Sequence, residues 1–95
     1  MSILIRFTPT KATTAQYEET IRSLEEGGHW PNPPGLEYHV CFLSPDDDNV
    51  RVSEIWESRE HFEAQAEHLM PVLAAAGIEL GGEPVFLDVY AQANP

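Results

Sequence analysis

Hydrophobic and polar residues alternate along four short stretches of the chain, and an alternation with a period of two predicts β-strands. The stretches are Ser2–Phe7, Leu36–Leu43, Val50–Trp56 and Pro84–Tyr90. An acidic turn over residues 44–49 separates the second stretch from the third, so these two strands are predicted to form a hairpin. In the second strand, the alternation assigns Leu36, Tyr38, Val40 and Phe42 to one face of the sheet and Glu37, His39, Cys41 and Leu43 to the other.

An amphipathic helix is predicted between the first two strands. Pro9 ends the first strand, and residues 29–35 are too rich in proline and glycine for regular structure, so they are predicted to form a loop. The signals of the helix are a capping box (Thr13, Gln16), an apolar stripe (Tyr17, Ile21, Leu24) and a glycine stop after Glu26 (Gly27).

A second helix is predicted after the third strand. Ser58 is a good N-cap, and the apolar stripe that follows consists of Phe62, Ala66, Leu69 and Leu73. Pro71 has no backbone N–H to donate, so we predict a break there and a short final turn, Val72–Ala76, before Gly77.

The order β-α-β-β-α-β is that of a ferredoxin-like α+β fold with an antiparallel sheet. We expect a single domain over residues 1–95, with a core at 2–90 and a frayed tail at 91–95. Two helices cover one face of four strands, and the sequence predicts that the other face is also apolar. The predicted members of that second face are Leu4, Cys41, Leu43, Ile55, Phe86 and Tyr90. We therefore predict a homodimer that packs through this sheet face.

The net charge and the apolar stretches of the chain limit its expected partners and its expected location in the cell. The net charge at pH 7 is −11 and the few basic residues are scattered, which argues against nucleic acids and anionic membranes as partners. No apolar stretch approaches the roughly 20 residues of a membrane span, and the N-terminus does not read as a signal peptide. We therefore expect a cytoplasmic protein. Cys41 has no second cysteine to pair with and is interpreted as a small apolar side chain.

The region around the second helix resembles the antibiotic biosynthesis monooxygenase (ABM) superfamily. The residues that carry the resemblance are Ile55–Trp56, Glu57–Ser58–Arg59–Glu60 with Phe62, Met70–Pro71, Ala76–Gly77 and Pro34–Gly35–Leu36. The resemblance covers residues 2–90 and is closest to small bacterial members of unassigned function. It implies a dimeric α+β barrel. Its enzymatic members oxidise aromatic polyketides with molecular oxygen and no bound cofactor.

The family also contains haem-degrading enzymes, whose residue pattern is not matched here. That branch uses an asparagine at the end of the first strand, a tryptophan in the second helix and a histidine further along. With Trp56 as the anchor, these positions fall at or near Phe7, Gln65 and Ala75. Haem degradation is therefore not implied, and the histidine that many members carry at the position of Gln65 is missing as well.

His39 is the candidate catalytic residue. It lies in the middle of the second strand, on the face where Arg6, Ser53 and Asp88 are predicted to gather, and a histidine there would act as a base. The alternative interpretation, and the commoner one for such a residue, is a hydrogen-bonded histidine in the dimer interface. The candidates for lining a pocket around a small aromatic or apolar ligand are Trp30, Tyr38, Trp56, His61, His68 and Tyr90.

Several of these candidates also have a purely structural interpretation. Trp30 either closes a pocket as part of a lid or covers the end of the core, and Trp56 is expected in the core. His61 and His68 are too far apart for the usual helical metal site, so a solvated helix face is the simpler interpretation. The acidic turn has Arg51 where a calcium loop needs glycine. We predict no metal site and no bound cofactor.

Two functions stay open from the residues alone. The resemblance favours a cofactor-independent monooxygenase that acts on a small aromatic or polycyclic molecule. The alternative is a non-catalytic dimer that binds a small molecule or serves as a stress-related accessory protein. A dimer with no pocket is a third hypothesis, which a filled space between helices and sheet would select.

Overall fold

Four antiparallel strands form the main sheet of this protein, in a computed structural model that describes residues 1–93. The elements in chain order are β1 (Ile3–Phe7), β2 (Pro9–Lys11), α1 (Thr14–Glu26), β3 (Leu36–Leu43), β4 (Val50–Trp56), α2 (Arg59–Ala76), β5 (Glu79–Leu80) and β6 (Val85–Asp88). The sheet order β3-β4-β1-β6, with both helices between strands, confirms the predicted ferredoxin-like α+β fold. No helix in the described part of the chain is long and apolar enough to cross a membrane.

The ends of the chain differ in detail from the prediction. Pro9 does not end the β-structure, because it opens β2, which pairs with β5 in a second, two-stranded sheet. A proline is tolerated at the first residue of such an edge strand, where no ladder hydrogen bond is required of it. β6 is shorter than the predicted strand. Residues 91–93 have no regular structure, and the rest of the predicted frayed tail, 94–95, lies outside the described residues.

The capping box of α1 is present as predicted. The Gln16 N–H donates to Thr13 Oγ1 at 3.1 Å, and the Thr13 N–H donates to Gln16 Oε1 at 2.8 Å. The Gln16 side chain also donates to the carbonyl oxygens of Ala76 and Gly77. One residue therefore caps the start of α1 and fastens it to the end of α2.

The predicted break at Pro71 is wrong, because α2 runs without interruption from Arg59 to Ala76. Pro71 is exposed, so the backbone carbonyl that it leaves without a donor lies on the solvated side of the helix. Leu69 packs against the core from the opposite side of α2. The packing of that apolar side outweighs one missing hydrogen bond. Gly77 then ends the helix with a left-handed conformation, as predicted.

A bulge in β3 decides which of its side chains face the helices. Leu36 pairs with Trp56 but Tyr38 pairs with Ile55, so β3 contains one extra residue, Glu37, between two consecutive positions of β4. An inserted residue moves all later side chains to the opposite face. The residues of β3 that face the helices are therefore Leu36, His39, Cys41 and Leu43. The prediction that Cys41 and Leu43 lie on the uncovered face is wrong.

The core is built on the face that the helices cover. Ile5, Phe7, Trp56 and Phe62 are buried together, and Phe86 packs on Phe62 with the ring centroids 5.7 Å apart. Phe86 was predicted on the uncovered face, and the register of β6 on β1 places it with Ile5 instead. The uncovered face is largely apolar as predicted, but its apolar members are Leu4, Tyr38, Val40, Phe42, Ile55, Val85 and Leu87, and it also carries Arg6, Arg51 and Ser53.

Gly35→Ala is expected to destabilise the protein more than Gly28→Ala. Both glycines have a left-handed backbone, with φ of +87° and +79°, so alanine costs about 1–2 kcal/mol at either. At Gly35 the added Cβ would also lie 2.4 Å from His61 Cγ, whereas nothing lies within 4 Å at Gly28. Urea unfolding should show a further loss of about 1–3 kcal/mol for Gly35→Ala. Equal losses would mean that the His61 ring moves aside without penalty.

Candidate functional site

A cavity lies between the covered face of the sheet and the two helices. The volume of the cavity is about 70 Å³, several times the roughly 10–15 Å³ that one water molecule needs. The wall is almost entirely apolar, and its apolar residues include Phe7, Ile21, Leu24, Val52, Leu69 and Leu73. The space between the helices and the sheet is therefore not filled, which argues against the hypothesis of a dimer with no pocket.

Four of the polar side chains in the wall form one connected chain. His39 and Glu54 are direct neighbours on β3 and β4, and His39 Nδ1 lies 2.6 Å from Glu54 Oε2. The other carboxylate oxygen of Glu54 accepts a hydrogen bond of 3.0 Å from Trp56 Nε1. On the far side of the imidazole, His39 Nε2 lies 2.7 Å from the Tyr17 hydroxyl. We call Tyr17, His39, Glu54 and Trp56 the polar chain.

Glu54 determines the orientation and tautomer of His39. Its side chain is 8% exposed, and an ionised carboxylate can only accept hydrogen bonds. When Glu54 is ionised, the proton between Glu54 and His39 belongs to Nδ1 of the imidazole. In the neutral ring this leaves Nε2 as the acceptor, on the side of Tyr17. A carboxylate behind a histidine also stabilises the imidazolium that forms when Nε2 takes up a proton.

Tyr17 supplies a neutral hydroxyl beside that acceptor nitrogen. Burial, with smaller contributions from Cys41 and Glu54, raises the pKa of Tyr17 to about 12. The phenol is therefore protonated at physiological pH and donates its hydrogen bond to His39 Nε2. Burial also raises the pKa of the nearby Cys41 thiol, which stays protonated and inert.

The loop over residues 29–35 closes the cavity beside His39. The Trp30 ring lines the cavity and meets the His39 ring edge-on, with centroids 4.6 Å apart. Gln65 is buried on α2 and donates its side-chain amide to the His29 carbonyl oxygen at 2.9 Å. The loop is thus tied to α2 immediately before Trp30, and the position of Trp30 fits both a lid and a cover over the core.

Three of the seven site residues proposed from the sequence line this cavity: His39, Trp30 and Trp56. His39 lies on the covered face, because of the bulge in β3, and not on the uncovered face as predicted. Arg6 and Ser53 pair on the opposite face and Asp88 lies on the far edge strand, so the predicted gathering of these residues around His39 is wrong.

The other four candidates lie outside the cavity wall. Tyr38 points from the uncovered face, for the same reason of register, and Tyr90 is fully exposed beyond β6. His61 is bonded to the N-cap, with Nδ1 2.6 Å from Ser58 Oγ. His68 is exposed and stacks on His29, with the ring centroids 3.7 Å apart.

Tyr17 and Glu54 were not identified as site residues from the sequence, although both leave a signal there. Glu54 lies on the same face of its strand as Val50, Val52 and Trp56. Its carboxylate therefore had to lie among buried residues and required a hydrogen-bond partner. Tyr17 belongs to the apolar stripe of α1, and a buried tyrosine hydroxyl also requires a partner. The nearest histidine that could serve both is His39, but its face was assigned wrongly.

Solved structures share this fold over nearly the whole chain. SnoaB, a cofactor-independent oxygenase from Streptomyces nogalater, is 20% identical with a TM-score of 0.58, covering 96% of this chain and 93% of SnoaB. The monooxygenase ActVA-Orf6 of Streptomyces coelicolor, solved with the ligand nanaomycin D, is 19% identical with a TM-score of 0.58, covering 99% and 90%. A variant of MhuD with two manganese protoporphyrin IX molecules per active site is 20% identical with a TM-score of 0.58, covering 100% of both chains.

At about 20% identity, these likenesses establish a shared fold. No protein-family profile and no curated protein sequence matches the chain. The structural neighbours are antibiotic biosynthesis monooxygenase-type proteins, so the resemblance found in the sequence extends to the three-dimensional fold.

The residues around the cavity do not fit a haem iron. His39 is the one histidine in the wall of the described cavity, and both of its ring nitrogens are bonded, to Glu54 and to Tyr17. Among the positions that the resemblance assigns to haem degradation, Phe7 is in the core and Ala75 is exposed. Gln65, the third, is bonded to the loop. Among residues 1–93, no group of three or more histidine, cysteine, aspartate or glutamate side chains is placed to hold a metal ion.

Proposed function

We propose that this protein, which has the fold of the antibiotic biosynthesis monooxygenase superfamily, is a cofactor-independent monooxygenase for a small aromatic compound with an acidic O–H or C–H group. One observation carries the proposal. His39, oriented by the buried carboxylate of Glu54, stands at the polar end of a cavity that is otherwise apolar. An apolar cavity of this kind suits a small hydrophobic ring and presents a single base to its edge.

The proposed reaction begins with removal of a proton from the bound phenol or enolisable ketone. The proton is accepted at His39 Nε2, and the imidazolium is stabilised by Glu54. The electron-rich anion then reduces molecular oxygen, and a carbon–oxygen bond forms at the activated ring carbon. A ring CH₂ becomes C=O, and the second oxygen atom leaves as water with the two hydrogens of that carbon. Four electrons pass from the substrate to O₂, so no other reductant is required.

The described activities of two structural neighbours support this chemistry. SnoaB is a cofactor-independent oxygenase and ActVA-Orf6 is a monooxygenase that was solved with nanaomycin D. The fold alone is shared by proteins of different function. The proposal for this chain therefore rests on the base and the cavity, and the neighbours show that the same scaffold supports an oxygenase.

A homodimer through the uncovered sheet face is part of the proposal. A row of apolar side chains crosses all four strands of this face, consisting of Tyr38, Ile55, Leu4 and Leu87 in register. No paired strand position on the face is acidic, although the net charge of the chain is −11. A second copy on this face would cover an apolar surface that water otherwise contacts.

One observation favours the alternative, a non-catalytic protein that binds a small apolar molecule. In the described part of the chain, every buried side-chain nitrogen and oxygen already has a hydrogen-bond partner. The polar chain is thus complete without a ligand, and an apolar cavity by itself suffices for binding. The experiment must separate binding from turnover.

His39→Gln is expected to abolish oxygen consumption while ligand binding is retained. The test offers a panel of naphthols, anthrols and their keto tautomers to the protein, and measures oxygen uptake, quinone formation and the thermal shift. Loss of a general base lowers kcat by on the order of 100-fold or more. The matched control is His68→Gln, at an exposed histidine outside the cavity, which should leave kcat unchanged. A thermal shift without turnover in the unaltered protein would select the binding protein instead.

A further inference from the structure

We infer that Tyr17 is the group that contacts the reacting oxygen of the substrate, and that the proton reaches His39 only through the Tyr17 hydroxyl. This inference deepens the proposed function and rests on it for the identity of the reaction. It assigns a catalytic role to a residue of α1, and it makes His39 a base that receives its proton from Tyr17 and not from the substrate directly.

The first support is that His39 has no ring nitrogen left for a ligand. Nδ1 is 2.6 Å from Glu54 Oε2, and Nε2 is 2.7 Å from the Tyr17 hydroxyl. The Trp30 ring covers the imidazole from the loop side. A substrate that met Nε2 directly would have to displace Tyr17 from a partly buried hydrogen bond. A substrate that meets Tyr17 leaves the polar chain intact.

The second support is the position of Tyr17 in the cavity. Tyr17 lines the cavity together with three later residues of the same helix, Thr20, Ile21 and Leu24. A ring system that packs along this side of α1 therefore has the Tyr17 hydroxyl at its edge. The hydroxyl donates its one proton to His39, so its oxygen lone pairs stay available to accept a hydrogen bond from the substrate.

The third support is that the proton can pass from the substrate to His39 without forming a tyrosinate. The substrate O–H proton moves to the Tyr17 oxygen as the original Tyr17 proton moves to His39 Nε2. One O–H bond of the substrate breaks and one N–H bond of the imidazolium forms, while Tyr17 remains a neutral phenol. After the transfer, the Tyr17 hydroxyl points its new proton at the substrate oxyanion. The same group that passed the proton then stabilises the negative charge.

The chemistry of Tyr17 suits this role. Burial raises its pKa to about 12, which disfavours the separate tyrosinate and favours a transfer in which both protons move together. The carboxylate of Glu54 contributes to this rise. It opposes negative charge on Tyr17 and so does not favour a free phenolate.

Tyr17→Phe is expected to lower kcat by on the order of 100-fold while KM changes little, because phenylalanine preserves the packing of the ring. The matched control is Tyr90→Phe, at a fully exposed tyrosine. Turnover in mixtures of H₂O and D₂O gives a second signature. A transfer of two protons makes the rate fall along a curve as the deuterium fraction rises, whereas direct transfer to His39 gives a straight line. A merely structural Tyr17 would leave kcat of Tyr17→Phe unchanged or raised, since Nε2 is then exposed to the substrate.

A second experiment needs no oxygenation and so tests the inference apart from the proposed function. 4-Nitrophenol is bound under anaerobic conditions, and its ionisation is followed by visible absorbance. We expect bound 4-nitrophenol to ionise at a lower pH in the unaltered protein than in Tyr17→Phe, since the Tyr17 hydroxyl donates a hydrogen bond to the anion and phenylalanine does not. Equal ionisation in both proteins would overturn the role of Tyr17. A difference in ionisation without oxygen uptake from any substrate would overturn the monooxygenase and keep Tyr17 as the contact residue.

Discussion

Leu87→Asp is expected to convert the proposed dimer into a folded monomer. Leu87 ends the apolar row across the uncovered face and is 48% exposed in the single chain, so aspartate is tolerated there by the isolated subunit. In a two-fold interface the substitution occurs twice, and each buried, unpaired carboxylate costs about 3–5 kcal/mol. The two together raise the dissociation constant by at least on the order of 10,000-fold. Sedimentation velocity over a range of protein concentrations measures this change.

The control for this variant is Leu43→Asp. Leu43 is 56% exposed and lies on the other face of the sheet, at the end of β3. The substitution Leu43→Asp changes hydrophobicity and charge by the same amount as Leu87→Asp, but it lies outside the proposed interface. We expect it to sediment as the unaltered protein does. A monomer in the unaltered protein, or equal effects of the two substitutions, would refute an interface on the uncovered face.

Glu54→Ala is expected to destabilise the fold and to abolish turnover. It removes the acceptor of two hydrogen bonds, from His39 Nδ1 and from Trp56 Nε1. Each buried donor that is left without a partner costs about 1–3 kcal/mol, so the free energy of unfolding should fall by roughly 2–5 kcal/mol. Urea unfolding, followed by the fluorescence of the buried Trp56, provides the measurement.

Two further variants separate the roles of the Glu54 charge. Glu63→Ala removes a carboxylate that forms an exposed pair with Arg59, and it should change stability by less than about 1 kcal/mol. Glu54→Gln keeps the size of the side chain but no longer holds a charged acceptor behind His39. We expect Glu54→Gln to lose less stability than Glu54→Ala and to lose kcat by on the order of 100-fold. Full activity in Glu54→Gln would show that Glu54 serves the fold alone.

Most of the fold could be predicted because its signals are local. The bounds of β3 and β4, the capping box of Thr13 and the stop at Gly77 all follow from residues within a few positions of each other. The failures have tertiary causes. The helix continues through Pro71 because its other side is packed, and β2 pairs with β5 only because distant parts of the chain meet.

The candidate site could be predicted only in part, because its key feature is a single inserted residue. The histidine was identified by its type and its place in a strand. The bulge at Glu37 moved His39 to the covered face, and no local signal in the sequence marks that bulge. Once the face is known, Glu54 on the next strand and Tyr17 on the covering helix follow as partners. The set of residues in the site thus depends on the pairing register of the strands more than on any sequence motif.

Nitrogen-15 NMR of the imidazole of His39 tests the claim that this histidine receives the proton of a bound ligand. The signal is assigned by its absence in His39→Gln and is followed as 4-nitrophenol is added without oxygen. We expect a proton on Nδ1 alone before addition, and protons on both ring nitrogens, with the ligand ionised, afterwards. A ring that stays neutral while 4-nitrophenol occupies the cavity would contradict it.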